Sequence, residues 1–144
     1  MRRQIVVGVA GISLMVAAAP LGAHHAFSSE FDVNQPVKLV GTISKTEWIN
    51  PHSWIHLDVK QPNGQTDEWM IEGGTPNALM RRGVTRDTLK VGTEIIVTGY
   101  QAKDGSLRAN GRDIIYPDGR KLFIGSPGTG APDEGQSKEP EKDK

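Results

Sequence analysis

The chain has 144 residues, with 17 basic and 17 acidic side chains, four histidines and no cysteine. This length is that of a single domain, and a chain without cysteine has no disulfides, no thiolate metal site and no thiol nucleophile. Because the charges balance, a protein that binds nucleic acid through a strongly basic surface is also excluded.

Residues 1–23 have the three-part pattern of a secretory signal peptide. Arg2 and Arg3 precede an apolar stretch over residues 5–19, and small residues lead to a predicted cleavage site after Ala23. The apolar stretch is about 15 residues long, against the roughly 20 that span a bilayer, so cleavage by the general secretory route is favoured over a retained membrane anchor. The sequence therefore predicts a periplasmic or secreted protein that does not span the membrane, with a slightly acidic mature chain beginning at His24.

Three further segments are predicted after the leader. Residues 24–35 form a short N-terminal arm, residues 36–124 form a folded β domain, and residues 125–144 form a tail. The tail is rich in proline, glycine and charged residues and has almost no apolar side chains. It cannot offset the entropy of ordering its backbone, so we expect it to be disordered.

The first half of the domain shows the two-residue alternation of β-strands. Residues 37–49 predict a long first strand, in which Gly41 marks a bulge or a sharp bend. Residues 53–60 predict a second strand, with Ile55, Leu57 and Val59 facing the core. A hairpin turn at residues 62–64 leads to a third strand over residues 68–73.

A short helix is predicted to follow the third strand. Thr75 is a suitable N-cap, Pro76 occupies the first helical position, and Gly83 ends the helix. The remaining strands are expected over residues 94–101, 107–116 and 121–124, separated by turns rich in aspartate and glycine.

Three strands, a helix and two strands make up the order of a five-stranded Greek-key barrel, the OB-fold. We therefore predict an all-β fold with one short helix and an OB-like barrel. The alternative is an open antiparallel sheet covered by one helix.

Four short motifs resemble those of a family of small exported bacterial proteins, domain-of-unknown-function family 6152. They are residues 24–27 (HHAF), 48–52 (WINPH), 72–77 (EGGTPN) and 81–83 (RRG). The resemblance covers nearly the whole chain from His24 to Gly125. It implies a bacterial envelope protein and no assigned activity, so any mechanism has to come from the residues.

The four histidines, all between positions 24 and 56, have the most distinctive chemistry. Imidazole binds copper, zinc and nickel, and without thiolates any such site uses nitrogen and oxygen ligands. After cleavage, His24 offers its free α-amine and its ring to one ion, and a histidine from elsewhere completes a three-nitrogen site typical of Cu(II). Alternatively, the amine, the His25 amide nitrogen and the His25 ring chelate Cu(II) or Ni(II) in a plane. Copper is the expected metal, ahead of zinc and nickel.

His52, at the mouth of the second strand, is the first choice for the distant ligand, and His56, on the outward face of that strand, is the second. Residues on a strand advance about 3.3 Å each, so the two histidines lie roughly 13 Å apart and do not share one ion unless the chain bends. Glu72 and Asp58 are candidate oxygen ligands, or acceptors that orient an imidazole.

The tryptophans and methionines have both functional and structural interpretations. Trp48, Trp54 and Trp69 are candidates to line one face of the barrel and stack on a sugar or a base, although ordinary packing explains them as well. Met70 and Met80, the only methionines of the mature chain, are expected in the core.

The sequence contains no catalytic triad or phosphate-binding loop, and we predict no enzyme. The favoured function is an exported OB-like protein that binds Cu(II) as a carrier, buffer or accessory subunit. The alternative is a metal-free module that binds another envelope protein or a small ligand, and a copper-dependent oxidase comes third.

Overall fold

The computed structural model describes residues 23–126 and residue 131, with side chains described from Phe27 onward. Residues 1–22 of the predicted leader, most of the predicted tail and the side chains of His24 and His25 lie outside this description. The elements, in chain order, are α1 (Ala23–Glu30), β1 (Phe31–Glu47), β2 (Trp54–Lys60), β3 (Thr66–Glu72), α2 (Pro76–Arg81), β4 (Glu94–Ala102), β5 (Arg108–Ile115) and β6 (Lys121–Phe123). Neither helix is long and apolar enough to cross a bilayer, a finding that covers the described residues alone.

The six strands form one sheet that closes into a ring. Neighbouring strands lie in the order β3-β2-β1-β4-β5-β6, and a parallel pairing between β3 and β5 joins the two sides. Five strands make up the ring, and β6 pairs with residues 113–115 of β5, beyond the part of that edge that pairs with β3. The predicted fold class, mostly β with a short helix between the third and fourth strands, is confirmed.

Strand β1 is long enough to pair with two neighbours. Its residues from Phe31 to Thr42 pair with β4, and those from Thr42 to Glu47 pair with β2. Gly41 lies beside this changeover, where a Cβ atom would stand 2.5 Å from the carbonyl oxygen of Asp58. Glycine is required because β2 crosses β1 too closely for any side chain. The irregular register comes just after it, between residues 43 and 45.

Alternate residues of the strands meet inside the ring and form the main core. Ile55, Leu57 and Val59 of β2 face inward, as the alternation predicts. The side chains that are fully buried are mostly aliphatic and come from every part of the ring, including Ile43, Ile71, Ile95, Val97 and Ile114. Removing this apolar surface from water is the main favourable contribution to folding.

Helix α2 begins as predicted and packs against this core. The hydroxyl of Thr75 accepts a hydrogen bond from the backbone N–H of Ala78 at 3.2 Å, and Pro76 is the first helical residue. Leu79 is buried in the core, whereas the next residue, Met80, is 50% exposed. The expectation that Met80 is a core residue is therefore wrong, because successive residues of a helix point about 100° apart. Met70 is not a core residue either, because it alternates along β3 with the buried Trp69 and Ile71 and points to the opposite face of the strand.

Helix α1 was not predicted, and it lies within the stretch expected to be a short arm. Its Phe27 forms a second, smaller apolar cluster with Phe31, Tyr100 and Ala102. The ring of Phe27 meets that of Tyr100 edge to face, with 5.6 Å between centroids. The backbone N–H of Lys103 donates to the carbonyl of Glu30, the last residue of α1, at 2.9 Å. These contacts hold the helix against β1 and β4.

Replacing Gly41 with alanine should lower the free energy of unfolding by about 1–3 kcal/mol, the usual cost of forcing extra atoms into a packed site. Urea denaturation measures this directly. Gly73→Ala is the matched control, because a Cβ there meets its nearest atom at an ordinary 3.4 Å. Equal stability of the two variants would contradict the close approach of β2 to β1.

Candidate functional site

Side chains of β2, β3 and β5 that point away from the core form a polar surface, the outer face. The strand register places these residues in two rows: Trp54, Glu72 and Asn110, then His56, Met70 and Arg108. Trp69 is displaced from Trp54 by an odd number of register positions and lies in the core. The tryptophans therefore do not share one face, and the predicted aromatic surface is not formed.

His56 is held between two carboxylates on the outer face. Its Nε2 lies 2.8 Å from Glu47 Oε1 and its Nδ1 lies 2.9 Å from Glu68 Oε1. The residue is only 8% exposed. Both ring nitrogens donate when the imidazole is charged, so His56 ties β1, β2 and β3 together. Because each ring nitrogen faces a carboxylate oxygen at hydrogen-bond distance, neither is open to a metal ion in this arrangement.

Glu47 also bonds to Lys45, whose Nζ lies 2.6 Å from the same carboxylate. The hydrogen bond from Lys45, followed by the one from His56, holds the pKa of Glu47 below its usual value. The carboxylate is therefore ionised over a wide pH range. This ionic group is a structural contact across three strands, and its two carboxylates were not singled out in the sequence.

His52 lies in the loop that leads into β2, directly after the cis peptide bond between Asn50 and Pro51. Its Nδ1 lies 3.3 Å from the carbonyl oxygen of Gly73 and 3.5 Å from Glu72 Oε1. Its side chain is 32% exposed, and within the described part of the chain no group contacts Nε2. A proton on Nδ1, which faces two acceptors, leaves the Nε2 lone pair available to a ligand.

Glu72 is the buried acid of this region and is 8% exposed. Burial is the main cause that raises its pKa above the ordinary value of a glutamate, and the nearby charge of His52 opposes the shift. The charge of Glu30 raises the pKa further, while a 3.5 Å hydrogen bond from Asn110 Nδ2 lowers it. The carboxyl group of Glu72 therefore takes up a proton at a higher pH than a free glutamate does.

A salt bridge places the end of helix α1 near the outer face: Glu30 Oε2 lies 3.0 Å from Nη2 of Arg108. His24 and His25 lie on the same helix, and His24 is about 9 Å from Glu30 along the helix axis at 1.5 Å per residue. The backbone of the predicted metal-binding segment thus belongs to an element that ends at this face.

Two of the buried polar atoms that have no hydrogen-bond partner among the described residues belong to residues that bond to Glu72 or to the neighbouring Gly73. They are the amide oxygen of Asn110 and the hydroxyl of Ser53, in residues that are 2% and 3% exposed. Nearly all buried polar groups in proteins are paired. Buried unpaired atoms also occur at other described residues of the ring, including Trp69 and Thr98, so they do not by themselves mark a site.

The described residues contain no group of three or more histidine, aspartate or glutamate side chains arranged to hold a metal ion. Of the predicted residues, the structure brings His52 and Glu72 together. His56 and Asp58 lie apart from this pair. His56 bonds to Glu47 and Glu68, and Asp58 lies opposite Glu68 in the strand register. His24 and His25 have no described side chains, so their part in a site stays a prediction.

Comparison with known proteins gives one result. A family model described as "Family of unknown function (DUF6152)" matches residues 11–111, which is well over half of the chain. No curated protein and no solved structure matches the chain.

Substituting His56 with glutamine should lower the free energy of unfolding by about 1–3 kcal/mol, because the single amide nitrogen of glutamine cannot reach carboxylates on opposite sides as the two ring nitrogens of histidine do. The measurement is urea denaturation, in a double-mutant cycle with Glu68→Gln. Strict additivity of the two substitutions would contradict the contact between these side chains.

Glu72→Gln should be more stable than the unsubstituted protein at pH 7. The pKa of Glu72 is higher in the folded protein than in the unfolded chain, where it is near 4.5. The contribution of Glu72 to stability is therefore fully present below the unfolded-state pKa and is lost as the pH rises through the folded-state pKa. The neutral glutamine avoids this loss, so the difference in unfolding free energy should shrink towards pH 4. Glu94→Gln, at an exposed position of β4, is the control and should show no such pH dependence. A Glu72→Gln protein that is less stable at pH 7 would contradict the assigned burial cost.

Proposed function

The chain belongs to DUF6152, a family of unknown function, and we propose that its mature form is an exported protein that binds one transition-metal ion, Cu(II) before zinc or nickel. We assign the ion to ligands from the N-terminus of helix α1 and from His52, whose Nδ1 faces Glu72. The protein acts as a metal carrier, a buffer or an accessory subunit in the bacterial envelope, and it is not itself an enzyme.

The observation that carries this proposal is the arrangement of His52. Histidines that bind metals almost always direct their second ring nitrogen to a carboxylate or a backbone carbonyl, which fixes the ring and its tautomer. The Nδ1 of His52 faces both kinds of acceptor, the Gly73 carbonyl and the Glu72 carboxylate. The other nitrogen, Nε2, belongs to a side chain that is one-third exposed and is the atom we assign to the metal.

One imidazole does not make a metal site, and the remaining ligands come from the mature N-terminus. Cleavage after Ala23 gives His24 a free α-amine with a pKa near 8, so a metal ion displaces its proton at neutral pH. The amine and ring of His24, together with Nε2 of His52, supply three nitrogens, a donor set suited to Cu(II). His25 supplies the variable further contribution.

Glu72 and His56 take supporting parts in this proposal. Glu72 orients His52 and does not need to touch the metal, which fits its position behind Nδ1. His56 is assigned to the structure of the sheet, since both of its nitrogens already bond to carboxylates. Of the four candidate histidines, His24 and His52 are therefore the proposed metal ligands, and His25 is the variable third one.

The test is Cu(II) titration of the secreted protein by native mass spectrometry and calorimetry, after its intact mass has established the N-terminal residue. We expect one bound ion per chain. Glu72→Ala should weaken binding by about ten- to a hundredfold, the usual effect of losing a group that orients a ligand. His24→Ala and His52→Ala should each weaken it further.

Two controls make this titration specific. Acetylation of the α-amine of the mature protein, verified by intact mass, removes that nitrogen as a ligand and leaves every side chain in place, so the acetylated protein should bind as weakly as His24→Ala. His56→Gln should bind Cu(II) as the unsubstituted protein does. Unchanged binding by a His24→Ala/His52→Ala double variant would refute the proposal and favour the metal-free interaction module.

A further inference from the structure

A cleft of about 410 Å³ lies between the end of β1, helix α2 and the turn that follows the helix. Its volume falls in the range of small-molecule sites, roughly 300–1,000 Å³. None of its lining residues belongs to the outer face or to the proposed metal site. They are Trp48, Pro76, Met80, Thr85, Arg86 and Asp87.

The walls of the cleft are fixed by hydrogen bonds. The indole N–H of Trp48 donates to the hydroxyl of Thr46 at 3.1 Å, which sets the plane of the ring. In the turn, the backbone N–H of Thr85 donates to the hydroxyl of Thr88 at 2.8 Å. The hydroxyl of Tyr116 donates to the carbonyl of Thr88 at 2.6 Å and ties the turn to the core. A preformed cleft of this kind binds a ligand with little loss of conformational entropy.

The cleft combines one cation, Arg86, and one anion, Asp87, with an apolar surface. The guanidinium carbon of Arg86 lies 5.5 Å from the ring centroid of Trp48. Among the residues that the structure describes, no carboxylate pairs with Arg86, so its N–H donors remain available to a ligand. Met80, half exposed, and Pro76 provide apolar surface next to it.

We propose that this cleft binds an aromatic monocarboxylic acid, a small molecule with one flat apolar ring and one carboxylate. The planar guanidinium of Arg86 matches a carboxylate through two parallel hydrogen bonds, while the ring covers Met80 and the edge of Trp48. A single negative charge is required because Asp87 lies in the same cleft and repels a second one. This inference does not depend on the metal proposal.

The experiment is an NMR titration of the secreted, ¹⁵N-labelled protein with phenylacetate in metal-free buffer. For a fragment of this size we expect a dissociation constant of about 1 mM, with the shifts concentrated on the backbone of the cleft and on the indole of Trp48. The neutral 2-phenylethanol, the cationic 2-phenylethylamine and the dianionic phthalate should each bind at least about tenfold more weakly.

Arg86→Gln should weaken phenylacetate binding by about tenfold or more, because it removes a charged hydrogen-bond donor. The matched control is Arg81→Gln, at an exposed arginine of α2 that does not line the cleft. It should bind as the unsubstituted protein does. Shifts that map elsewhere, equal binding of 2-phenylethanol, or an Arg86→Gln variant with unchanged affinity would each overturn the proposal.

Discussion

The backbone at Gly73 and Gly74 joins three separate parts of the chain, and the candidate site depends on this junction. Gly73 donates to the carbonyl of Ser53 at 2.8 Å, and Ser53 donates in turn to the carbonyl of Gly74 at 3.0 Å. Gly74 also donates to the carbonyl of Ile124 at 2.8 Å. The loop that carries His52 is therefore fastened to the end of β3 by main-chain bonds. These bonds set the position of the imidazole before any ligand arrives.

Glu72 lies next to this junction, and its burial makes the ionised carboxylate destabilising. Glu72 is nearly covered and its pKa is raised, so its ionised form costs stability at neutral pH. A neutral side chain of the same shape would fill the space without that cost. What the carboxylate provides is an acceptor for Nδ1 of His52, with the other nitrogen left open. A perturbed acid beside an oriented imidazole is a common mark of a functional site, and this combination supports placing the site here.

Local signals in the sequence predict most of the elements, and non-local pairings account for what they miss. Alternation locates the strands, and Thr75 with Pro76 locates helix α2, because each signal acts within a few residues. Helix α1 depends on Phe27 meeting Tyr100, a residue far along the chain. The carboxylate partners of His56 come from β1 and β3, and a slip of one residue in either register would turn them to the other face. His52 was singled out because it follows a proline, whereas its contact with Glu72 is visible only in the folded chain.

The most direct test of the central claim is a histidine side-chain NMR spectrum of the secreted protein during Cu(II) addition. The copper ion is paramagnetic and broadens nearby signals first, so the spectrum reports which rings surround it. We expect the His52 ring to carry its proton on Nδ1 before the titration. Substoichiometric Cu(II) should then remove the His24 and His52 signals while that of His56 persists. Loss of the His56 signal together with that of His52, or a His52 signal that survives a full equivalent of copper, would contradict the account.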